Sequence, residues 1–150
     1  MKKVLFATLA LLFITSPLTA ADDVINVPSD YGVEETANRL EEVLKNKGMT
    51  IFNRIKHSES AAAVGIELRK TELIIFGNPK VGSPLMKCQQ TVAIDLPQKA
   101  LVWENEAAKV WISYNDPRYL EKRHNITGCE ETLMKVEKAL AGITKSAATK

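Results

Sequence analysis

The residues of this chain with the most distinctive chemistry are its two cysteines, Cys88 and Cys129. A protein that passes through an oxidising compartment can join two such thiols in a disulfide. The bridge would close a loop of about 42 residues and stabilise the fold by roughly 4 kcal/mol if it is unstrained. The alternative is that Cys129 is a small buried hydrophobic residue on a helix face and Cys88 a separate thiol. The sequence favours the disulfide.

A second possible chemistry is the binding of a soft metal ion. Met86, Cys88 and His57 offer a thioether, a thiolate and an imidazole, which are ligands that select Cu(I) or zinc. Met86 and Cys88 are two positions apart, so in a strand or a helix their side chains point in different directions. Only an irregular loop would let both bind one ion. No cofactor is the main expectation, and copper or zinc binding is the alternative.

Glycine and proline could form a stiff loop that presents polar side chains to a ligand. The segment from Gly77 to Met86 contains Gly77-Asn78-Pro79 and Gly82-Ser83-Pro84. Such a segment forms either a ligand-binding loop or a turn that only reverses the chain, and no phosphate-binding glycine motif accompanies it. Asn78 and Ser83 are therefore candidate ligand-binding residues.

Alternation of side chains in a predicted hairpin indicates a second candidate surface. Trp103 and Trp111 are expected on one face of adjacent strands, where aromatic pairs usually stabilise a sheet or a core. A concave sheet face could instead hold a small apolar ligand. Tyr114 is expected on the opposite face, and Asp116 follows the strand. Trp103, Tyr114 and Asp116 complete the candidate ligand-binding set.

Catalytic motifs have little support in this sequence. A Ser/His/Asp triad can be assembled on paper, but no GxSxG elbow accompanies it. Asp116, His57 and Tyr114 are the default acid–base candidates for an enzyme of unrecognised mechanism. The sequence favours a protein that is not an enzyme.

The first 21 residues have the pattern of a secretory signal peptide. Two lysines precede an apolar run from Val4 to Ile14, and small residues follow. This run is well short of the ~20 apolar residues that a spanning helix requires. We expect cleavage after Ala20 or Ala21 and an exported, periplasmic protein with no membrane attachment once the signal is removed.

Charge and length limit the classes of protein that remain. The chain has 150 residues and a formal net charge of +2, and removal of the leader takes away two lysines, leaving 18 basic against 18 acidic side chains. A neutral exported protein without a basic patch is not expected to bind nucleic acid. The remaining length fits a single domain over residues 22–144, followed by a short polar tail at 145–150 that we expect to fray.

The periodicity of apolar residues predicts two main helices. Val33, Ala37, Leu40 and Leu44 lie on one helical face, and Gly48 suits a left-handed cap after that helix. A second face consists of five residues at helical spacing: Cys129, Leu133, Val136, Leu140 and Ile143. Both helices are expected to pack on a sheet.

Extended runs separate these two helices along the chain. Strands are predicted at 24–28, 50–55, 73–76, 101–104 and 110–114, with short helical turns near 57–65 and 84–90. A helix, a run of strands and a final helix indicate an α+β fold with an antiparallel sheet and both main helices on one face.

Several blocks of the sequence resemble one protein family. The most specific are Phe76-Gly-Asn-Pro79 and Asp95-Leu-Pro97, supported by Leu101-Val-Trp-Glu104 and Val110-Trp-Ile-Ser-Tyr-Asn-Asp116. The chain is similar to domain of unknown function family 302 from about Val24 to Ile143. The resemblance implies a TATA-binding-protein-like α+β fold, in the order β-α-β-β-β-β-α, and a homodimer. It implies no activity and no catalytic residue, since fold is not function.

Three hypotheses for the function follow. The first is an exported protein that binds a small ligand or a protein partner through the sheet face and the segment from Gly77 to Met86. The second is a soft-metal or thiol-redox protein that uses Cys88, Met86 and His57. The third is an enzyme of unrecognised mechanism.

Overall fold

The computed structural model describes residues 23–150, so the predicted signal peptide at 1–21 lies outside the described residues. The strands are β1 (Val24–Ser29), β2 (Thr50–Lys56), β3 (Thr71–Gly77), β4 (Gln98–Glu104) and β5 (Val110–Asn115). The helices are α1 (Val33–Asn46), α2 (His57–Ala62), α3 (Pro79–Cys88), α4 (Pro117–His124) and α5 (Glu130–Ala148), with a 3-10 helix at Gln90–Ile94. No helix in this part of the chain is long and apolar enough to cross a membrane.

The strands form a five-stranded sheet in the order β1-β5-β4-β3-β2. All four neighbouring pairs are antiparallel. The β4–β5 hairpin turns through the predicted polar loop, where the Asn105 N–H donates to the Lys109 carbonyl. The α+β class and the predicted order of strands and main helices are confirmed.

Helices α1 and α5 pack against each other and cover one face of the sheet. The strand residues beneath them alternate with residues of the other face, and Ile74, Phe76, Val102 and Ile112 are essentially inaccessible to solvent. After α1, Gly48 has a φ of +70°, a left-handed conformation that glycine adopts without a steric penalty. The predicted cap is therefore present.

The C-terminal segment differs from the expectation that 145–150 frays. Helix α5 continues to Ala148, and Ala147 and Ala148 are completely buried. The Arg39 guanidinium donates to the Ala147 carbonyl, and the Asp30 N–H donates to the Ala148 carbonyl. These contacts with α1 and the end of β1 hold the last turn in place, which local composition did not indicate.

The segment from Gly77 to Met86 also differs from the predicted loop. Gly77 ends β3, and the residues from Pro79 onward form α3, with Pro84 inside the helix. The Asn78 side chain caps the helix by accepting from the Lys80 N–H at 2.9 Å. Proline suits the first helical position because its missing N–H would have no partner there. The helix therefore begins earlier than the turn predicted at Pro84.

Candidate functional site

An apolar cavity of about 300 Å³ lies where α3 and α5 meet the end of the sheet. This volume is at the lower end of the range for small-molecule sites, roughly 300 to 1,000 Å³. Aliphatic, aromatic and methionine side chains form most of its wall: Met49, Phe52, Phe76, Val81, Leu85, Met86, Leu96, Pro97, Val136 and Leu140. The cavity offers contact to an apolar ligand, with few polar groups to orient it.

The polar residues of the wall come from α3 and its N-cap, from the start of β4 and from α5. Asn78, Ser83, Gln98 and Lys135 line the cavity. Both polar atoms of the Asn78 side chain already have hydrogen-bond partners within the protein. The amide oxygen caps α3, and the amide nitrogen donates to the Gly48 carbonyl at 3.2 Å. Ser83 is exposed. The structure thus places both sequence-predicted residues at this cavity, one as a structural anchor and one at its edge.

Two glycines keep space open at this end of the sheet. A Cβ atom at Gly77 would lie 3.4 Å from the Phe52 ring and 3.5 Å from Pro97. A Cβ atom at Gly82 would lie 3.7 Å from Leu96. Side chains at these positions would therefore project toward residues of the wall and reduce the volume of the cavity.

A disulfide between Cys88 and Cys129 joins the two helices of the wall. Cys88 is the last residue of α3, and Cys129 directly precedes α5. The expected pairing is therefore present, and it ties together the two helices whose separation determines the width of the cavity.

Trp103 lies on the face of the sheet opposite α1 and α5, which we call the helix-free face because no helix of residues 23–150 covers it. It is therefore remote from the cavity. It is directly opposite Trp111, as the alternation predicted. The Trp103 indole N–H donates to the Ser113 hydroxyl at 2.7 Å, which in turn donates to the Asn26 amide oxygen at 2.5 Å. Among residues 23–150 no acceptor lies within reach of the shielded Trp111 indole N–H.

Tyr114 and Asp116 lie at the C-terminal end of β5, where Tyr114 is part of the core and Asp116 caps a helix. Tyr114 is buried on the helix-covered face, and burial raises the pKa of its phenol. Asp116 begins α4 by accepting from the Arg118 N–H at 2.9 Å. The Arg118 guanidinium donates to both carboxylate oxygens and holds the pKa of Asp116 below its usual value, against the opposing effect of burial. Neither residue lines the cavity.

The proposed soft-metal ligands are not brought together. Cys88 is in the disulfide and has no thiolate to offer. His57 follows β2 at one end of the β2–β3 pair, whereas α3, with Met86, begins at the other end of β3. A seven-residue strand is about 20 Å long. In the described part of the chain, no group of three or more His, Cys, Asp or Glu side chains could hold a metal ion.

The default acid–base candidates are also far apart. His57 follows β2, at the edge of the sheet, while Tyr114 and Asp116 belong to β5 and the residue after it. Strands β3 and β4 lie between them, a separation of about 14 Å. These three residues therefore cannot act together on one substrate atom.

A polar cluster that sequence analysis missed lies where α4 meets the 3-10 helix. His124 is buried; its Nε2 is 2.6 Å from an Asp95 carboxylate oxygen, and its Nδ1 is 3.0 Å from the Thr91 hydroxyl. Arg123 also contacts Asp95, at 3.4 Å. The spacing of hydroxyl, imidazole and carboxylate resembles a nucleophile–base–acid relay. None of the three lines the apolar cavity, so that cavity does not serve the cluster as a substrate cleft.

One local signal could have predicted the helix that carries this cluster. Asp116-Pro117 places a capping residue directly before a proline, which is a typical start of a helix. The burial of His124 had no such signal, because its neighbours Lys122, Arg123 and Asn125 are polar and exposed.

The sheet, the two covering helices and a ligand-sized apolar cavity define a small α+β protein with a candidate binding site. The family model for "Domain of unknown function DUF302" matches residues 25–143, and the chain belongs to this family. A crystal structure of an uncharacterized conserved DUF302 protein from Bacillus stearothermophilus superposes with a TM-score of 0.77. It is 23% identical and covers 85% of this chain and 99% of its own, and it supports the fold alone.

Curated relatives at higher identity are named as ion channels. Proteins named "Fluoride-specific ion channel FluC 1", from Brucella suis and Brucella abortus, are each 40% identical over 126 residues. A Brucella melitensis protein named "Fluoride-specific ion channel FluC 2" matches equally well. These matches cover 83% of this chain and 47 to 50% of the relatives. The chain thus spans about half the length of these curated relatives.

Proposed function

We propose that this protein binds a small apolar ligand in the cavity between α3, α5 and the end of the sheet. The observation that carries the proposal is the nature of the wall, which is formed almost entirely by aliphatic, aromatic and methionine side chains. Water in such a space finds few hydrogen-bond partners, so an apolar ligand that displaces it gains contacts with little polar desolvation. Met49 and Met86 are flexible side chains that can adapt to the shape of a ligand.

The proposal is tested with the neutral fluorescent probe N-phenyl-1-naphthylamine, whose emission rises in apolar surroundings. Ala139 lines the cavity on α5, so Ala139→Phe would fill it. Ala141 lies on the same helix, is exposed and does not line the cavity, so Ala141→Phe is the matched control. We expect binding of the probe to the native chain and to Ala141→Phe, and affinity weaker by about tenfold or more in Ala139→Phe, a loss of about 1.4 kcal/mol.

Equal binding by the native chain and Ala139→Phe would place the probe elsewhere and contradict the proposal. Absence of binding to the native chain would contradict it directly. Thermal unfolding of both variants shows whether the larger side chain has disrupted the fold instead.

We further propose that the chain is exported and acts in the periplasm. The signal-peptide pattern predicted at 1–21 and the disulfide support this location, because disulfides persist in oxidising compartments. Intact mass of the protein recovered from the periplasmic fraction provides the test. A chain that begins after Ala20 or Ala21 and is about two daltons lighter than its reduced form agrees with export. A full-length cytoplasmic chain would contradict it.

A homodimer formed through the helix-free face of the sheet is a related proposal. Trp103 and Trp111 lie on this face, and the Trp111 indole N–H has no acceptor among the described residues. A shielded donor without a partner is costly, and a second copy of the chain could supply the acceptor. Native mass spectrometry tests the oligomeric state. Dimer ions that disappear in Trp111→Arg support the proposal, and a monomer at all concentrations contradicts it.

The names of the curated relatives favour a second candidate function, a role beside a fluoride channel. The match to these proteins is 40% identical but covers only about half of their length. We propose that this chain supports fluoride transport. Growth of a deletion strain in medium containing fluoride, with and without the gene restored, tests the proposal. Unchanged tolerance to fluoride would contradict it.

A further inference from the structure

We infer that the ligand is a single-chain carboxylic acid whose chain lies in the apolar cavity and whose carboxylate lies between Lys47 and Lys138. The inference rests on the proposed binding function and adds the chemical class of the ligand. It starts from a second cavity of about 340 Å³ between the end of α1 and α5. Both cavities are lined by Met49 and Ala139, so they are neighbours along α5.

The two cavities differ in polarity in the way that the two ends of an amphiphile differ. The first is apolar, whereas the second is lined by Lys47, Lys138 and Ser146 as well as by apolar atoms. A ligand that occupies both must therefore be apolar along its length and polar at one end.

The sign of the charged residues that line the two cavities identifies the polar end of the ligand as an anion. Lys135 lines the first cavity, and Lys47 and Lys138 line the second. No residue lining either cavity in the described chain is acidic. Lys135 is paired with Glu131 at 2.9 Å, but neither Lys47 nor Lys138 forms an ion pair with a carboxylate of residues 23–150. These two ammonium groups are available for a ligand.

The donors present favour a carboxylate over a phosphate. Phosphate sites typically use arginine forks or the N–H groups at the start of a helix. The second cavity lies beside the C-terminal end of α1, and no arginine lines it. The carbonyls of Leu44 and Lys45 at this end accept from the N–H groups of Met49 and Gly48. Two lysines and one hydroxyl supply donors for a carboxylate, and the residues lining this cavity include no arginine fork for a phosphate.

The test is displacement of bound N-phenyl-1-naphthylamine from the native protein by ligands with the same chain. Decanoate, decanol, decyl phosphate and decyltrimethylammonium differ only in the head group. We expect decanoate to displace the probe at the lowest concentration and the cationic amphiphile at the highest. Preference for decanol or for decyltrimethylammonium would overturn the assignment of an anion. Stronger displacement by decyl phosphate than by decanoate would overturn the assignment of a carboxylate.

Lysine variants locate the head group. Lys47→Met and Lys138→Met should each weaken decanoate about two- to fivefold, the effect of one exposed ion pair, and leave decanol unchanged. Lys145→Met is the control, because Lys145 is on α5 and lines neither cavity. Added salt should reduce the preference for decanoate over decanol, since it screens exposed charges.

The outcomes separate this inference from the binding function on which it depends. Binding of the probe and of decanol, with no preference for decanoate in the native chain, leaves an apolar site but overturns the acid ligand. Loss of decanoate preference in Lys145→Met to the same extent as in Lys47→Met would overturn the placement of the carboxylate. Failure of all four amphiphiles to displace a bound probe would also overturn it.

Discussion

Residues 90–97 lie between two regions of very different construction. On one side Ala93, Leu96 and Pro97 line the apolar cavity. On the other, Thr91 and Asp95 hydrogen-bond His124 at the end of α4. We call the second region, formed by Thr91, Asp95, Arg123 and His124, the α4 junction. Directional hydrogen bonds fix the geometry of the junction, whereas apolar contacts line the cavity and can rearrange around a ligand.

This difference indicates distinct roles for the two regions. Both ring nitrogens of His124 have hydrogen-bond partners, since Nε2 contacts the Asp95 carboxylate and Nδ1 contacts the Thr91 hydroxyl. The junction therefore provides a stable support for the segment that also forms part of the cavity wall. We expect substitutions in the junction to lower stability, and substitutions in the cavity to change binding.

The largest effect is expected on removing the covalent link between the cavity walls. The double variant Cys88→Ser/Cys129→Ser lacks the bridge across a sequence separation of 41 residues. Its free energy of unfolding should fall by about 4 kcal/mol if loop entropy dominates. Urea unfolding measures the change, and the native protein under reducing conditions should give a similar value. A loss below about 1 kcal/mol would mean that apolar packing alone holds α3 against α5.

A smaller loss is expected on breaking the α4 junction. His124→Ala leaves the Asp95 carboxylate without its imidazole partner and should cost about 2 to 3 kcal/mol. Ser83→Ala is the control at the cavity edge, because the Ser83 side chain makes no hydrogen bond with a described residue and is exposed. This control should change stability by no more than about 0.5 kcal/mol.

Urea unfolding of both variants compares the two regions directly. Equal losses would remove the distinction between a structural junction and a ligand-binding cavity. A double-mutant cycle of His124→Ala with Asp95→Ala should reveal an interaction energy between the two side chains, since they are in direct contact.

The sequence predicted the regular elements well because their signals are local. The apolar spacing of α1 and the alternation that places Trp103 opposite Trp111 both follow from the periods of a helix and a strand. The candidate site was predicted only in part. Asn78 and Ser83 line the cavity, but the same alternation that puts Trp103 and Tyr114 on opposite faces prevents one pocket from including both.

The features that sequence analysis missed depend on contacts between distant segments. His124 is buried through Asp95, 29 residues earlier in the chain. The last turn of α5 is held by Arg39, 108 residues before Ala147. No periodicity within a short window contains such information. The start of α4 at Asp116-Pro117 was also missed, although its capping signal is local and could have predicted the helix.

The N-cap of α4 offers a test with a still smaller effect. Asp116→Ala should cost about 1 kcal/mol, because the Arg118 N–H loses its acceptor. Asp116→Asn keeps an acceptor oxygen but removes the charge, so it should retain most of the cap. Comparison of the two variants therefore separates the contribution of the cap from that of the Asp116 charge at the start of α4.

The pH dependence of the same residue has a definite sign. The pKa of Asp116 is lowered in the folded protein, so its charge stabilises the fold above the unfolded pKa of about 3.9. This contribution is lost as pH falls from that value through the folded pKa. The native chain should be more stable than Asp116→Asn near neutral pH, and the difference should shrink in acid. Urea unfolding at several pH values measures it, and a difference that grows in acid would contradict the assigned shift.

The smallest effect is expected on the helix-free face of the sheet. Trp111→Phe removes an indole N–H that has no acceptor in the described part of the chain, so little hydrogen bonding is lost. Stability should change by no more than about 0.5 kcal/mol in an isolated chain, because the ring still packs opposite Trp103. Trp103→Phe is the matched comparison, since it leaves the Ser113 hydroxyl without its donor. It should cost about 1 kcal/mol. A larger loss for Trp111→Phe than for Trp103→Phe, confined to protein concentrations at which the chain is dimeric, would show that the Trp111 N–H finds its acceptor in a second copy.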